Sequence, residues 1–415
     1  MARHIVIVGS GVIGLCSAFY AARWGHRVTV IDREAEDHEG CSFGNAGMIV
    51  PSHFVPLAAP GMVALGLKWM WNPESPFYIQ PRFDAELFAW AWRFWRASTR
   101  SHVANCAPLL RDLSLASRTA YEALAGEMDF GLVTRGQVML CKEQRTLDEE
   151  AHNVQHAALL GISAQVLDAK QVAQLDPGVT LQVRGGVYFP KDCHLSPNRL
   201  MAALKQQCKA MGVQFLWNTN VTGWRKEGST LRAAVTAQGE VSGDEFVLAG
   251  GAWSPLTVAS LNLRLPMQAG KGYSLTLANP RQLPALCSIF TGARVAVTPM
   301  GGSLRFGGTM EIAGLHEQIN ERWVKGIIKA VPRYFPEFGP NDFTGVQPWS
   351  GLRPCAPDGM PYVGRTKTTK NLIVATGHAM MGLSLGPVTG QIVAALISGE
   401  RPAFDLRLLS PDRFA

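Results

Sequence analysis

The chain opens on a short run of apolar, mostly β-branched positions, Ile5-Val6-Ile7-Val8, which passes directly into Gly9-Ser10-Gly11-Val12-Ile13-Gly14. Such a run predicts a buried strand, since branching at Cβ favours extended backbone. Residues 15–24 then read as a helix, and Arg27-Val28-Thr29-Val30-Ile31 reads as a second strand ending on Asp32. The strand-then-glycine pattern returns twice. Glu245-Phe246-Val247-Leu248 runs into Ala249-Gly250-Gly251-Ala252-Trp253, and Leu372-Ile373-Val374-Ala375-Thr376 runs into Gly377-His378, with a helix expected over residues 388–398. The intervening stretches differ. Residues 61–130 are rich in Trp, Leu, Ala and Arg and read as helical, whereas residues 293–298 and 303–306 alternate as antiparallel strands do.

The first unit carries a chemical expectation. Gly9 permits a tight turn, Gly11 lets backbone approach a pyrophosphate, and Gly14 lets the helix pack closely on the sheet. The helix N-terminus offers unpaired N–H groups to phosphates, and Asp32 stands where an acid accepts hydrogen bonds from an adenosine ribose. The chain is expected to bind a dinucleotide. The competing reading takes the uncharged residues 5–22, after Arg3, as a signal peptide or membrane span. The early glycines, the lack of a small-residue cleavage site and the regular second strand speak against it.

Composition narrows the class. With 415 residues, 47% hydrophobic and 17% charged, the chain is globular and long enough for two cores. Its 42 glycines and 25 prolines are spread along the length, which suits turns rather than disorder. Eight cysteines form no CxxC pair, so free thiols in a reducing cytoplasm are expected. The net charge of +7 is modest and leaves an anionic substrate or a membrane surface open. No nucleic-acid module, repeat or low-complexity tract is present.

A second block, Gly40-Cys41-Ser42-Phe43-Gly44-Asn45-Ala46-Gly47-Met48-Ile49-Val50-Pro51, is dominated by small residues that let backbone lie against a flat ring system. The GSGVIG start, the middle FVLAGGAWS and the final GLRPCAPDGMPYVG with LIVATGHAMMGLSLGPVTG together resemble the D-amino-acid oxidase superfamily of FAD-dependent amine oxidoreductases. Within it, SFGNAG at residues 42–47, PLAAPG at 56–61, KWM at 68–70, KGYSLT at 271–276 and GGTME at 307–311 look like the small subunit of bacterial D-amino acid dehydrogenases.

That resemblance, which covers nearly the whole chain, implies an α/β fold: a Rossmann-like FAD-binding domain of the glutathione-reductase type, discontinuous over residues 1–60, 185–265 and 345–415. An α+β substrate domain would take residues 61–184 and 266–344. The implied FAD contacts are Gly9, Gly11, Val12, Ile13, Gly14, Asp32 and Arg33, then Ser42, Asn45, Ala46, Gly47 and Met48. Val221, Gly250, Ala252 and Trp253 follow, and Gly377, His378, Gly382, Leu383 and Ser384 complete the set.

A flavin accepts hydride at N5, so the protein need only bind the substrate anion, orient its Cα–H and admit the neutral amine. Arg353, in Gly351-Leu352-Arg353-Pro354, leads as the carboxylate anchor, because a guanidinium grips a carboxylate with two parallel bonds; the family's GLRP or GFRP arginine does this. The alternative is an arginine in a salt bridge at the domain seam. Tyr273 is the second candidate for the carboxylate, with a half-buried strand tyrosine as its alternative. His53 is a candidate facing the substrate pocket, and His378 lies near the flavin or is a structural histidine. Lys271 reads as a surface lysine. His152 and His156 are spaced i, i+4, yet Glu149 and Glu150 beside them favour a solvated helix face, and no metal is expected. Sarcosine oxidases attach their flavin to a cysteine six residues before the proline of a Pro-Asp pair. Counting back from Pro357-Asp358 lands on Gly351, so Cys355 is out of register and the FAD is expected to be noncovalent.

Trp69, Trp71, Trp90, Trp92 and Trp95 cluster with Phe77, Phe83, Phe88 and Phe94 among several Arg and Lys. Such a segment suits a buried helix, a subunit contact or a peripheral membrane contact. The expected activity is FAD-dependent dehydrogenation of a D-amino acid, with D-proline or a hydroxyproline among the substrate types. Electrons would pass to a quinone or another respiratory partner, in the cytoplasm or at the inner face of the plasma membrane. An oxygen-using glycine or sarcosine-type oxidase and an electron-relay subunit of a hetero-oligomer stay open, and the oligomeric state is undetermined. A nicotinamide-dependent dehydrogenase is disfavoured by the later glycine returns.

Overall fold

The run His4–Val8 lies inside a six-stranded sheet of order Tyr362–Arg365, Leu372–Thr376, Glu245–Leu248, His4–Val8, Arg27–Ile31, Gln214–Leu216. All neighbours are parallel except the edge pair Tyr362–Arg365 with Leu372–Thr376. Both expected returns therefore join the first unit. The computed structural model of the chain describes residues 2–70 and 76–415, so Trp71 of the aromatic segment lies outside the described residues. Helices Val12–Arg23 and Gly386–Ser398 cross on one face of the sheet. Gly390 sets that crossing, because a Cβ there would lie 2.6 Å from the Cys16 carbonyl oxygen.

A second, nine-stranded sheet runs in the order Trp349–Cys355, Gln268–Leu277, Ser303–Ile312, Val295–Met300, Cys287–Phe290, Gln137–Cys141, Gly185–Phe189, Gln165–Asp168, with Phe77–Ile79 paired to Ser303–Ile312. The expected strands around residues 293–298 and 303–306 are the antiparallel pair Val295–Met300 and Ser303–Ile312. Helix Glu321–Tyr334 lays Trp323, Val324, Ile327 and Val331 into the core on one side of this sheet, against Leu275, Val297 and Phe306. The architecture is thus a Rossmann-like parallel sheet hosting an inserted α+β unit.

Two expectations change at the seam. Gly185–Phe189 and Trp349–Cys355 fall in ranges assigned to the nucleotide-binding part, yet both pair within the nine-stranded sheet. A single apolar strand does not reveal which sheet will receive it. The described residues of 61–130 are mostly helical, in Met62–Met70, Ala85–Ala97 and Arg100–Ala125, with the short strand Phe77–Ile79 between them. Helix Ala85–Ala97 buries Leu87 and Trp90, and Trp90 Nε1 donates to the Cys355 carbonyl at 2.9 Å. Phe83, Phe88, Trp92 and Trp95 remain exposed.

Candidate functional site

A cavity of about 520 Å³ opens at the carboxyl ends of the parallel strands, where doubly wound sheets bind ligands. The turn after His4–Val8 forms one wall. Gly9 has φ +106° and a Cβ on it would stand 2.5 Å from the Ala249 carbonyl oxygen; on Gly14 it would meet the Gly9 oxygen at 1.8 Å. Only glycine fits either place. The freed N-terminus of Val12–Arg23 faces the cavity, with Val12 N donating to Ser42 Oγ at 3.0 Å. Asp32 closes the neighbouring strand. Its Oδ2 accepts from Ser10 N and Ser10 Oγ, each at 2.6 Å, and its Oδ1 accepts from Glu34 N at 3.0 Å.

Of the expected contacts, Gly9, Gly11, Val12, Ile13, Asp32, Arg33, Ser42, Asn45, Val221, Gly250, Trp253, His378, Gly382 and Leu383 line this cavity. The Arg33 guanidinium stacks on the Trp253 ring at 3.8 Å. The remaining seven stand behind the wall. Gly14 packs the helix on the turn, Gly47 lies against the Leu195 carbonyl, and Gly377 lies against Tyr362. Met48 pairs with His194, while Ala252 packs on Ala269 and Leu352. Ala46 faces Gly307, and Ser384 Oγ donates to the Met48 carbonyl at 3.0 Å.

The cavity also takes in residues outside the expected FAD contacts, among them Cys41, Thr219, Thr222, Leu256, Leu352 and Pro354. Arg305 is the main omission. Buried on the nine-stranded sheet, it donates to the carbonyls of Phe43 at 3.0 Å and Asn45 at 2.8 Å, and to Thr276 Oγ1 at 2.9 Å. With Ser274 Oγ on the Gly44 carbonyl and Trp349 Nε1 on the Glu39 carbonyl, it clamps the small-residue loop against the second sheet. Desolvation pushes Arg305 down to about 10. An arginine inside the apolar alternation of residues 303–312 was the available signal.

Arg353 stands on strand Trp349–Cys355, between Leu352 and Pro354 of the cavity wall, and on the adjoining face beside Cys41. Its Nη1 donates to the Thr309 carbonyl at 2.7 Å, and among the described residues no carboxylate pairs with it. Burial lowers its pKa. The guanidinium lies flat over Gly272, where a Cβ would come within 2.1 Å of Nη2. This is not the seam salt bridge of the alternative reading.

The other candidates are placed differently. Tyr273 belongs to the apolar core, and its hydroxyl donates to Glu311 Oε2 at 2.5 Å, so it is not free for a substrate carboxylate. Lys271 is 1% exposed rather than a surface lysine; its Nζ pairs with Glu311 at 3.2 Å and donates to the Gln318 carbonyl at 2.8 Å. Both corrections have one cause: Lys271 and Tyr273, two apart on one strand, share a face, and Lys271 pairs in register with Glu311 of the neighbouring strand. His53 is half-buried on the loop after Met48–Ile49 and does not line the cavity. His378 is buried, with Nε2 at 3.1 Å from Thr389 Oγ1 and Nδ1 without a partner. Burial pushes it down to about 3. His152 and His156 share an exposed helix face, and the eight cysteines carry free thiols.

These features fit FAD. The Cβ-free turn, the open helix N-terminus and Asp32 suit a pyrophosphate and ribose, and the orphaned His378 Nδ1 marks the far wall as a place for a polar ligand.

The chain is similar to curated proteins over its whole length. It is 32% identical to D-amino acid dehydrogenase of Bradyrhizobium diazoefficiens, covering 99% of each chain, and 32% identical to that of Vibrio atlanticus, covering 96% of each. Among solved structures, glycine oxidase from Geobacillus kaustophilus superposes with a TM-score of 0.79 at 24% identity over 99% of both chains. L-proline dehydrogenase from P. horikoshii gives 0.74 at 18% identity, covering 100% of this chain and 98% of that one. The model of the DAO family, FAD dependent oxidoreductase, matches residues 4–396. Its match begins on the first strand and ends within the last helix, so the glycine turn and the strand of Arg353 fall inside one family frame: the chain belongs to the FAD-dependent oxidoreductases of the DAO family.

Proposed function

We propose that the protein dehydrogenates D-amino acids to imino acids, which hydrolyse to 2-oxo acids and ammonia, and passes the electrons to a quinone or similar carrier. The observation that carries this reading is Arg353, an unpaired guanidinium beside the nucleotide cavity with a side-chain-free glycine beneath it. Bound FAD would supply the hydride acceptor. Arg353 would take the substrate carboxylate with its free edge, keeping Nη1 on Thr309, so that the substrate is held in one orientation. Partial removal from water strengthens that pairing. Arg305 would hold the small-residue loop still while substrates exchange.

The substrate and acceptor classes lean on the relatives named D-amino acid dehydrogenase at about one-third identity over the full length. Noncovalent attachment is supported by Cys355, whose buried thiol is pushed up to about 12 and is therefore a poor nucleophile. Among the described residues no helix is long and apolar enough to cross a membrane. A peripheral contact at the inner membrane face is supported by Phe83, Phe88, Trp92 and Trp95, exposed beside Arg96 and Arg100.

A panel of D- and L-amino acids, D-proline included, assayed with an artificial dye and again with oxygen alone tests the reading. Turnover of D-substrates with dye is expected. Comparable turnover of L-substrates, or peroxide formed as fast as dye is reduced, would overturn the D-specificity or the dehydrogenase assignment respectively.

A further inference from the structure

The Arg353 side chain leaves its own strand. It crosses the neighbouring strand Gln268–Leu277 over Gly272, and Nη1 donates at 2.7 Å to the Thr309 carbonyl on the strand beyond. Such a bond has no place on a regular sheet. There the carbonyls lie in the plane of the sheet and are taken by neighbouring strands, so a side chain passing over the face meets no acceptor.

Thr309 breaks the ladder at that point. Lys271 pairs with Glu311 and Tyr273 with Gly308, which leaves Thr309 and Met310 together opposite Gly272 alone. Two residues against one make a β-bulge, and Thr309 is its first residue, at φ +64°. Glycine ordinarily fills that place, since the left-handed region crowds Cβ and suits a β-branched side chain least. The bulge frees the Thr309 carbonyl from the ladder, and Arg353 takes it.

A backbone of this kind persists only where its surroundings fix it. Here they do so from the reverse face. Lys271 and Tyr273 flank Gly272 and share the face opposite the one that Arg353 covers. Both hold one carboxylate: Glu311 Oε2 takes Lys271 Nζ at 3.2 Å and the Tyr273 hydroxyl at 2.5 Å, and all three side chains are buried. On the outer edge, Met310 N donates to the Pro76 carbonyl at 2.7 Å. The bulge is pinned on both strands and at its rim.

We propose that Thr309 is a positioning residue for the substrate carboxylate: its left-handed bulge holds Nη1 of Arg353, and the Glu311 clamp on the reverse face holds the bulge. This rests on the reading of Arg353 as the carboxylate anchor. With Nη1 held, the guanidinium plane no longer turns freely. The Nε–Nη2 edge, which has no hydrogen-bond partner among the described residues, is left to grip two carboxylate oxygens. Thr309 thereby sets the angle at which the substrate presents its Cα–H, without touching the substrate. The buried Lys271, Tyr273 and Glu311 act one step further back, through the bulge.

The test uses the full FAD-loaded chain with a D-amino acid and dye. Thr309→Gly accepts the left-handed backbone, so kcat/KM should stay within about threefold of wild type. Thr309→Pro is locked at φ of about −65° and cannot present the carbonyl. It should keep its FAD and lose about 10- to 100-fold in kcat/KM, as for one hydrogen bond to a charged group. Tyr273→Phe keeps the shape of a core residue and removes one arm of the clamp, at a cost of about 3- to 10-fold. If Thr309→Pro yields no soluble protein, Tyr273→Phe decides alone.

Both changes are then repeated on Arg353→Lys. An ammonium has no plane to orient, so each should cost less than about twofold further, whereas a merely structural defect would cost the same in either background. Equal losses in the two backgrounds would overturn the proposal, as would a Thr309→Gly enzyme as impaired as Thr309→Pro. Wild-type kinetics in Thr309→Pro or Tyr273→Phe would do the same. Near-normal kinetics in Arg353→Ala would overturn the functional reading instead.

Discussion

The glycine turn after His4–Val8 and the strand that carries Arg353, through its Leu352 and Pro354, border the same cavity, and they are built by opposite means. At the turn, recognition is made by what is missing. Gly9 and Gly14 carry no side chain, and neighbouring carbonyls stand so close that none fits. At the Arg353 face, recognition is made by a charge brought in from a separate sheet and laid over one glycine, Gly272. The turn has a single solution, set by a few consecutive residues. The arginine face has many, because side chains on neighbouring strands can be retuned without moving the backbone. A cofactor site of the first kind suits an unvarying ligand, and a site of the second kind suits a substrate that differs between relatives.

The comparison breaks most visibly at the turn. Gly14→Val should yield protein without flavin, or no soluble protein, because the added carbons collide with the Gly9 carbonyl; flavin absorbance of the purified protein reads this. Arg353→Ala should keep its FAD and lose about 2–5 kcal/mol of substrate recognition, roughly 30-fold to several thousand-fold in kcat/KM. Arg353→Lys should recover only part, since a point charge lacks the guanidinium fork. Near-normal kinetics in Arg353→Ala would remove the contrast altogether.

Smaller changes sharpen it. Gly272→Ala leaves Arg353 in place but forces its guanidinium to shift, and should cost about 1–3 kcal/mol in kcat/KM with flavin retained. Arg305→Met tests the join between the two regions. It leaves the Phe43 and Asn45 carbonyls without their donor, so FAD affinity, measured by titration of the apoprotein, should weaken by about 1–3 kcal/mol. The smallest effect on chemistry should come from Trp92→Ser with Trp95→Ser, on an exposed helix face. Turnover with dye should be unchanged, while sedimentation with anionic lipid vesicles should fall. Vesicle binding that is the same in both proteins would sever the aromatic patch from any membrane role.

The sequence by itself determined the parallel sheet, its glycine turn and the return of two distant strands, because each depends on a local pattern: a β-branched run, then residues whose backbone freedom or small size the turn requires. Arg353 was legible for a related reason, as a charged residue in a short motif the family shares. What only the tertiary structure decided was partnership between strands. Whether Gly185–Phe189 joined one sheet or the other, and whether Tyr273 faced a substrate or Glu311, turned on which strands paired and in what register. The partners of Arg305, Ser52 and Asp192 were hidden for the same cause, although a charge within an apolar run marked Arg305 itself. Each acts on residues far away in the chain, and a hydrogen bond across 140 or 260 positions leaves no trace in local spacing.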